Sequence, residues 1–166
     1  VEGHVDPYGV THAYAKAARL AGAEIVLRNR VTGLLTRPDG AWEVVTEQGS
    51  LVTEHVVNAG GLWAREVGRM VGLELPVLAM EHQYLITEDM PELAGQPELL
   101  HVIDFEGEIY LRQEGKGVLL GTYEKAAKPW SPRTTPWDFT SELLPEDIER
   151  IAPSLEVGFR HFPAIE

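Results

Sequence analysis

Cysteine is absent from the 166-residue chain, which excludes disulfides, thiolate metal sites and a cysteine nucleophile, and fits a reducing compartment such as the cytoplasm or a mitochondrial matrix. No apolar run reaches the roughly 18 to 20 residues that a membrane-crossing helix needs, so no membrane partner is expected. Positive charge is scarce: 14 Lys and Arg face 26 Asp and Glu, for a formal net charge of −12. Nucleic acid and anionic lipid are polyanions and are repelled by such a balance, which leaves room only for a local pocket that takes one phosphate. Serine occurs only at Ser50, Ser131, Ser141 and Ser154, none inside a Gly-x-Ser-x-Gly elbow, which argues against a hydrolase of that type. His4 and His12 lack an i, i+4 partner and a carboxylate at ligand spacing, so no metal site is expected. The opening Val1-Glu2-Gly3-His4 reads neither as a natural start nor as a targeting peptide, and the chain is expected to be cut from a longer polypeptide whose remainder is its partner.

The segments that are present alternate between helical and strand patterns. Asp6-Pro7 is a helix-start signal, Val10, Tyr14, Ala17 and Leu20 recur on one helical face, and Gly22 is a left-handed stop. A helix from about Pro7 to Ala21 follows, with a β-prone run at Glu24 to Leu27 that would complete the second half of a β-α-β crossover. Val31 to Thr36, Trp42 to Thr46 and Leu51 to Thr53 read as a three-stranded antiparallel meander. Its first turn, at Asp39-Gly40, reads as type I′, and Gln48-Gly49 marks the second. His55 to Asn58 is expected as a buried strand that runs into Gly60 and Gly61, with an amphipathic helix from Leu62 to Val71 beyond them. Glycines at such a junction let a phosphate-bearing cofactor approach backbone N–H groups, and they also serve any tight turn that needs φ > 0.

After Gly72 the pattern changes. Val77 to Thr87, His101 to Phe105, Glu108 to Gln113 and Gly117 to Thr122 read as strands of a separate antiparallel sheet. Lys125 to Phe139, with three prolines, reads as a surface loop, and a last helix is expected from Leu144 through about Leu155 with Ile148 and Ile151 inward. The fold class is therefore mixed, α+β with an α/β part. Residues 1–75 are a partial dinucleotide-binding layer with its meander, and residues 76–166 a partial antiparallel substrate-binding sheet with a helix.

Laid end to end, Val5-Asp6-Pro7, Ala21-Gly22-Ala23, Arg30-Val31-Thr32, Val56-Val57-Asn58-Ala59-Gly60-Gly61-Leu62-Trp63, Glu81-His82-Gln83-Tyr84 and Ile109-Tyr110-Leu111-Arg112 resemble one family. It is that of the FAD-dependent amine oxidoreductases of the D-amino-acid oxidase type, in the branch of dimethylglycine and sarcosine dehydrogenases. The resemblance implies FAD as cofactor and a small N-methylated amino acid as substrate, oxidised by hydride transfer to the flavin. It implies that Val31 lies beside the adenine and that Ala59, Gly60 and Gly61 pack against the flavin nucleotide. Gly60 departs mildly from the family's more usual Ala-Ala-Gly. It further implies that the family's Gly-x-Gly-x-x-Gly turn, acidic ribose ligand and flavin-linked histidine precede the equivalent of Val1, so the isolated chain is expected neither to retain FAD nor to turn over. A non-catalytic binding or structural domain derived from this fold is the alternative.

The chemistry asks little of the protein beyond orienting a neutral amine and binding its carboxylate, because the flavin takes the electrons. His82 and Tyr84 lie two apart on a strand and share a face, as do Tyr110 and Arg112. The resemblance makes Tyr84 and His82 the catalytic candidates and Tyr110 and Arg112 the substrate-binding ones, with Arg112 suited to clamp a carboxylate bidentately. Otherwise Tyr84 is a sheet-core tyrosine and Arg112 a surface arginine paired with Glu108 or Glu114.

Overall fold

The computed structural model describes residues 5–165, which divide into two compact units. One holds residues 5–78 and 133–137, the other residues 79–132 and 138–165. His4 lies outside the described residues.

In the first unit, helix α1 (Pro7–Leu20) begins where Asp6 accepts from the N–H groups of Tyr8 and Gly9, at 3.2 and 2.7 Å, satisfying donors that have no intrahelical partner. It ends in a Schellman motif: Gly22, at φ 93°, donates to Arg19, and Ala23 donates to Ala18. The expected run at Glu24 to Leu27 is not a strand, and neither is His55 to Asn58. Both are largely exposed, Val57 to 87%, and neither is a strand because an extended segment becomes one only when a neighbour takes its N–H and C=O groups, and none among the described residues pairs with either. The same lack of cover leaves Tyr8, Tyr14 and Leu20 of α1 exposed.

The meander forms as expected, with β1 (Val31–Thr36), β2 (Trp42–Thr46) and β3 (Gly49–Thr53) in sheet order β1-β2-β3, antiparallel throughout. Leu34 and Val44, opposite one another in the register, are its buried pair. The first turn differs from the expected type I′: only Gly40, at φ 84°, is left-handed, Gly40 donates to Arg37, and Arg37 and Ala41 close the loop. Pro38 accounts for this, because its ring holds φ near −65° and so selects a type I turn followed by a left-handed glycine. Beyond the meander, a single tight turn at Gly61–Trp63 leads into helix α2 (Ala64–Arg69), shorter than the pattern suggested.

Residues 133–137, from the proline-rich loop, pack on α2. Thr135 N–H donates to the buried Glu66 carboxylate at 2.8 Å, Trp63 Nε1 donates to Pro136 at 2.8 Å, and Arg69 donates to the Arg133 carbonyl at 2.7 Å. Burial pushes the Glu66 carboxyl upward. The Thr135 N–H, Arg69 and Arg65 outweigh it, and the net displacement is below the ordinary carboxylate value.

The second unit is an antiparallel sheet of β4 (Tyr84–Ile86), β5 (Val102–Asp104), β6 (Ile109–Glu114) and β7 (Gly117–Thr122), in the order β4-β7-β6-β5. Helix α3 (Ile148–His161) covers one face. Ile109, Leu111, Val118 and Leu120 from the sheet meet Ile151 and Leu155 from α3. Strict alternation sends these aliphatic residues to one side and leaves their neighbours on the other. Burial of six aliphatic side chains, each worth about 1.5–3 kcal/mol, is the main stabilising term of this unit.

Two expectations for α3 are corrected. Asp147 is the cap, accepting from Arg150 N–H at 3.3 Å, and Ile148, at the first turn, is 50% exposed rather than inward. The helix also runs on past Leu155 to His161, and Gly158 within it is a point of close approach, where an added β-carbon would strike Leu120 of β7. Of the expected strand Val77 to Thr87 only Tyr84–Ile86 joins the sheet. Ahead of it, Met80 makes an isolated bridge to Pro129.

Candidate active site

The sheet face opposite α3 carries the four side chains expected at the substrate site. In the register, Gly121 on β7 lies between Tyr84 on β4 and Tyr110 on β6. Arg112 follows Tyr110 by two residues on β6, so period-2 alternation sets it on the same side, and His82, just ahead of β4, reaches that side by its ring contacts. Ring contacts agree: His82 stacks near Tyr110 and Tyr123 at centroid distances of 6.4 and 5.6 Å, and Tyr110 and Tyr123 are 5.4 Å apart. His101 meets the Tyr110 edge at 5.9 Å.

The face is part open, with Tyr84 and Tyr123 more than half exposed, and Tyr110 is its most enclosed phenol. Burial, followed by the neighbouring Tyr123, raises the Tyr110 pKa above its ordinary value against the opposing pull of Arg112. Tyr110 is therefore a neutral hydroxyl at physiological pH, a donor and acceptor beside an arginine. Arg112 itself is paired with Glu114 at 2.6 Å. A ligand carboxylate at Arg112 would share or displace that partner.

Tyr123, His101 and Gly121 complete the face and were not among the expected residues. Tyr123 follows Gly121 by two, and alternation along Gly117 to Tyr123 is the signal that picks it out. Gly121 has no such signal, since its role depends on a ring from another strand.

The expected cofactor residues all lie in the first unit. Val31 opens β1, opposite Thr46 and half-buried, with an irregular register between Val31 and Gly33. Ala59 and Gly61 are exposed, and Gly61 adopts φ 52°, with nothing within 4 Å of a β-carbon placed there. Gly60 is different. Its N–H donates to the Asn58 side-chain oxygen at 3.1 Å, while Asn58 Nδ2 donates to the Ala64 carbonyl at 2.9 Å. Asn58 thus clips the turn shut, and the Gly60 N–H is already committed within the chain.

Among the described residues no group of three His, Asp or Glu side chains is placed to hold a metal ion, and no helix is long and apolar enough to cross a membrane.

Comparison with known proteins connects these features. The family model described as FAD dependent oxidoreductase (DAO) matches residues 1–164. The chain is similar to mitochondrial dimethylglycine dehydrogenase of Mus musculus, 42% identical over 99% of this chain and 20% of that protein. It is also similar to mitochondrial sarcosine dehydrogenase of Mus musculus, 32% identical over 99% of this chain and 18% of that protein. The L-proline dehydrogenase structure from P. horikoshii superposes with a TM-score of 0.65 at 26% identity, over 96% of this chain and 40% of that one. The chain thus spans about a fifth of the length of these curated relatives. With the family model matched along almost its full length, the chain belongs to the FAD-dependent oxidoreductase family.

Proposed function

We propose that the protein carrying this chain oxidises a small N-methylated amino acid of the sarcosine or dimethylglycine kind, and that the sheet face of His82, Tyr84, Tyr110 and Arg112 borders the substrate. The observation that carries this reading is the convergence of an imidazole, phenols and a guanidinium on one partly open face, from β6, β4 and the residues just ahead of β4, with β7 between the two strands. Bound FAD would accept a hydride from the C–H beside the amine nitrogen. The residues of this chain supply the remainder. His82 or Tyr84 takes the proton that keeps the amine neutral, the neutral Tyr110 hydroxyl orients the nitrogen, and Arg112 holds the carboxylate in exchange with Glu114.

The fit to FAD is uneven across the first unit. Ala59 and Gly61 offer exposed backbone without an obstructing side chain, and Val31 offers a strand edge, which suits a flat nucleotide lying against them. The Gly60 N–H, held by Asn58, does not suit a phosphate. Retention of FAD therefore depends on the remainder of the polypeptide, and the isolated chain is inactive. The partners in this reading are the amine substrate and the rest of the same polypeptide, in a reducing compartment such as the mitochondrial matrix.

The test is a visible spectrum and an amine panel on the full-length protein. A flavin band that bleaches anaerobically on addition of sarcosine or dimethylglycine is the expected result. Purified protein with no flavin absorbance overturns the reading.

A further inference from the structure

The start of α3 is completed by a residue that belongs to the sheet. Asp147 is the N-cap, and its carboxylate accepts from Arg150 N–H at 3.3 Å. In a capping box the residue at that third helical position is a Glu or Gln, which reaches back to the N–H of the cap. Arg150 stands there instead. A guanidinium has no acceptor, and this one turns to the buried Glu124 carboxylate at 3.0 Å. Gln83 takes the missing part: its Oε1 accepts from Asp147 N–H at 3.2 Å, and its Nε2 donates to the Pro145 carbonyl at 3.1 Å. The two partners fix the orientation of the amide, because a carbonyl only accepts and an N–H only donates.

Gln83 lies between the two residues read as catalytic. Along 81–86 burial alternates: Glu81, Gln83 and Leu85 are half-buried, and Leu85 packs on the core shared with α3, while His82, Tyr84 and Ile86 are exposed. The pairing of β4 with β7 starts only at Tyr84. Ahead of it, Glu81 N–H donates to the Lys128 carbonyl at 2.8 Å, and the Glu81 carbonyl accepts from Arg150 Nη1 at 3.4 Å. His82 is outside the ladder, and its place is set by Glu81 and Gln83 on either side of it.

We propose that Gln83 is a positioning residue: by clasping the N-terminus of α3 it fixes the segment that carries His82 and Tyr84, and with it the placement of both side chains on the open face. The assignment rests on the reading of His82 and Tyr84 as catalytic residues. Arg112 is independent of the clasp, because it sits within the ladder of β6 and β7, opposite Leu119. Loss of the clasp therefore disturbs the chemical step and spares carboxylate binding.

The experiment is anaerobic stopped flow on the full-length flavoprotein, which separates the limiting rate of flavin reduction from the apparent Kd for sarcosine or dimethylglycine. Gln83→Met keeps the length of the side chain and deletes both bonds. It is expected to lower the limiting rate by about tenfold, against the ~10²-fold cost of a misplacement of about 1 Å, with Kd held within about twofold. Gln83→Glu keeps an acceptor for Asp147 N–H and loses the donor to Pro145, so its rate is expected between those of Gln83→Met and wild type. In a His82→Gln/Tyr84→Phe background, Gln83→Met is expected to change the rate no further. A residue that served only the stability of α3 would lower the thermal midpoint and leave the rates unmoved. Should Gln83→Met fail to yield flavoprotein, Gln83→Glu decides alone: a slower rate at unchanged Kd supports the assignment, and an unchanged rate overturns it. An unchanged rate in Gln83→Met, a rate loss matched by an equal loss of affinity, or a full effect that survives in the His82→Gln/Tyr84→Phe background also overturns it, with the site left standing. If the His82→Gln/Tyr84→Phe protein itself reduces its flavin as fast as wild type, the site reading has failed and the assignment with it.

Discussion

The phenol ring of Tyr110 lies on the backbone of Gly121, filling the space that a β-carbon at residue 121 would occupy. Because Gly121 pairs with both Tyr84 and Tyr110, the missing side chain lets one ring settle inward while the other stands more exposed. Gly121→Ala is expected to cost about 1–3 kcal/mol, the range for overpacking, and to displace the Tyr110 hydroxyl. A lowered thermal midpoint with slowed flavin reduction in the full-length protein is the outcome to look for, and unchanged values in both would remove Gly121 from the design of the face.

Tyr110→Phe keeps the ring on Gly121 and deletes only the hydroxyl. The melting point should hold, while flavin reduction should slow by about 10²-fold, the lower range for a positioned acid–base or orienting group. Because the Tyr110 pKa is raised, any alkaline limb it governs should lie above the ordinary phenol value of 10.0. Tyr84→Phe tests the other phenol in the same assay, and turnover equal to wild type would take Tyr84 out of the site.

Arg112 and Glu114 form an ion pair that a substrate carboxylate would have to enter in the proposed site. Glu114→Gln removes the competing charge, so KM for sarcosine or dimethylglycine should fall with kcat little changed. Arg112→Lys, which loses the planar fork, should raise KM by about tenfold. Steady-state kinetics on amines with and without a carboxylate separate the two effects, since amines lacking the group should respond to neither substitution.

Glu66 makes the first unit acid-sensitive. Its folded-state pKa is lowered from 4.5, so its stabilising contribution is complete above that ordinary value and is lost as pH falls through the lower folded one. Acid titration followed by Trp63 fluorescence should show release of the segment 133–137, which Glu66 holds through the Thr135 N–H. Glu66→Gln should flatten that pH dependence at the expense of stability near neutrality, and a steep acid transition persisting in the variant would assign it to another carboxylate.

Local signals suffice where the partner group is close in the chain. Asp6-Pro7 and Gly22 bound α1, and the meander appears with little change, because caps and hairpins are closed by residues a few positions apart. The first turn shows how one neighbour alters a motif, since Pro38 converted Asp39-Gly40 from the expected type I′. Glu24 to Leu27 and His55 to Asn58 have strand-forming side chains without a strand, which requires a second chain segment to bond to. The last helix runs beyond the Leu155 expected of it, with Gly158 lying where Leu120 of a distant strand occupies the space beside it.

By itself, the sequence determined the ends of the first helix, the meander, the family, and that His82 shares a side with Tyr84 and Tyr110 with Arg112. Those are consequences of periods of 3.6 and 2 and of ordered motifs, all properties of contiguous residues. Only the tertiary structure decided that the two pairs meet on one face, with Gly121 between them, Tyr123 against His82 and Glu124 behind it. Periodicity says which side of its own strand a residue occupies. Which strands become neighbours, and in what register, depends on the shared core of Ile109, Leu111, Leu120 and Ile151, brought together from distant parts of the chain.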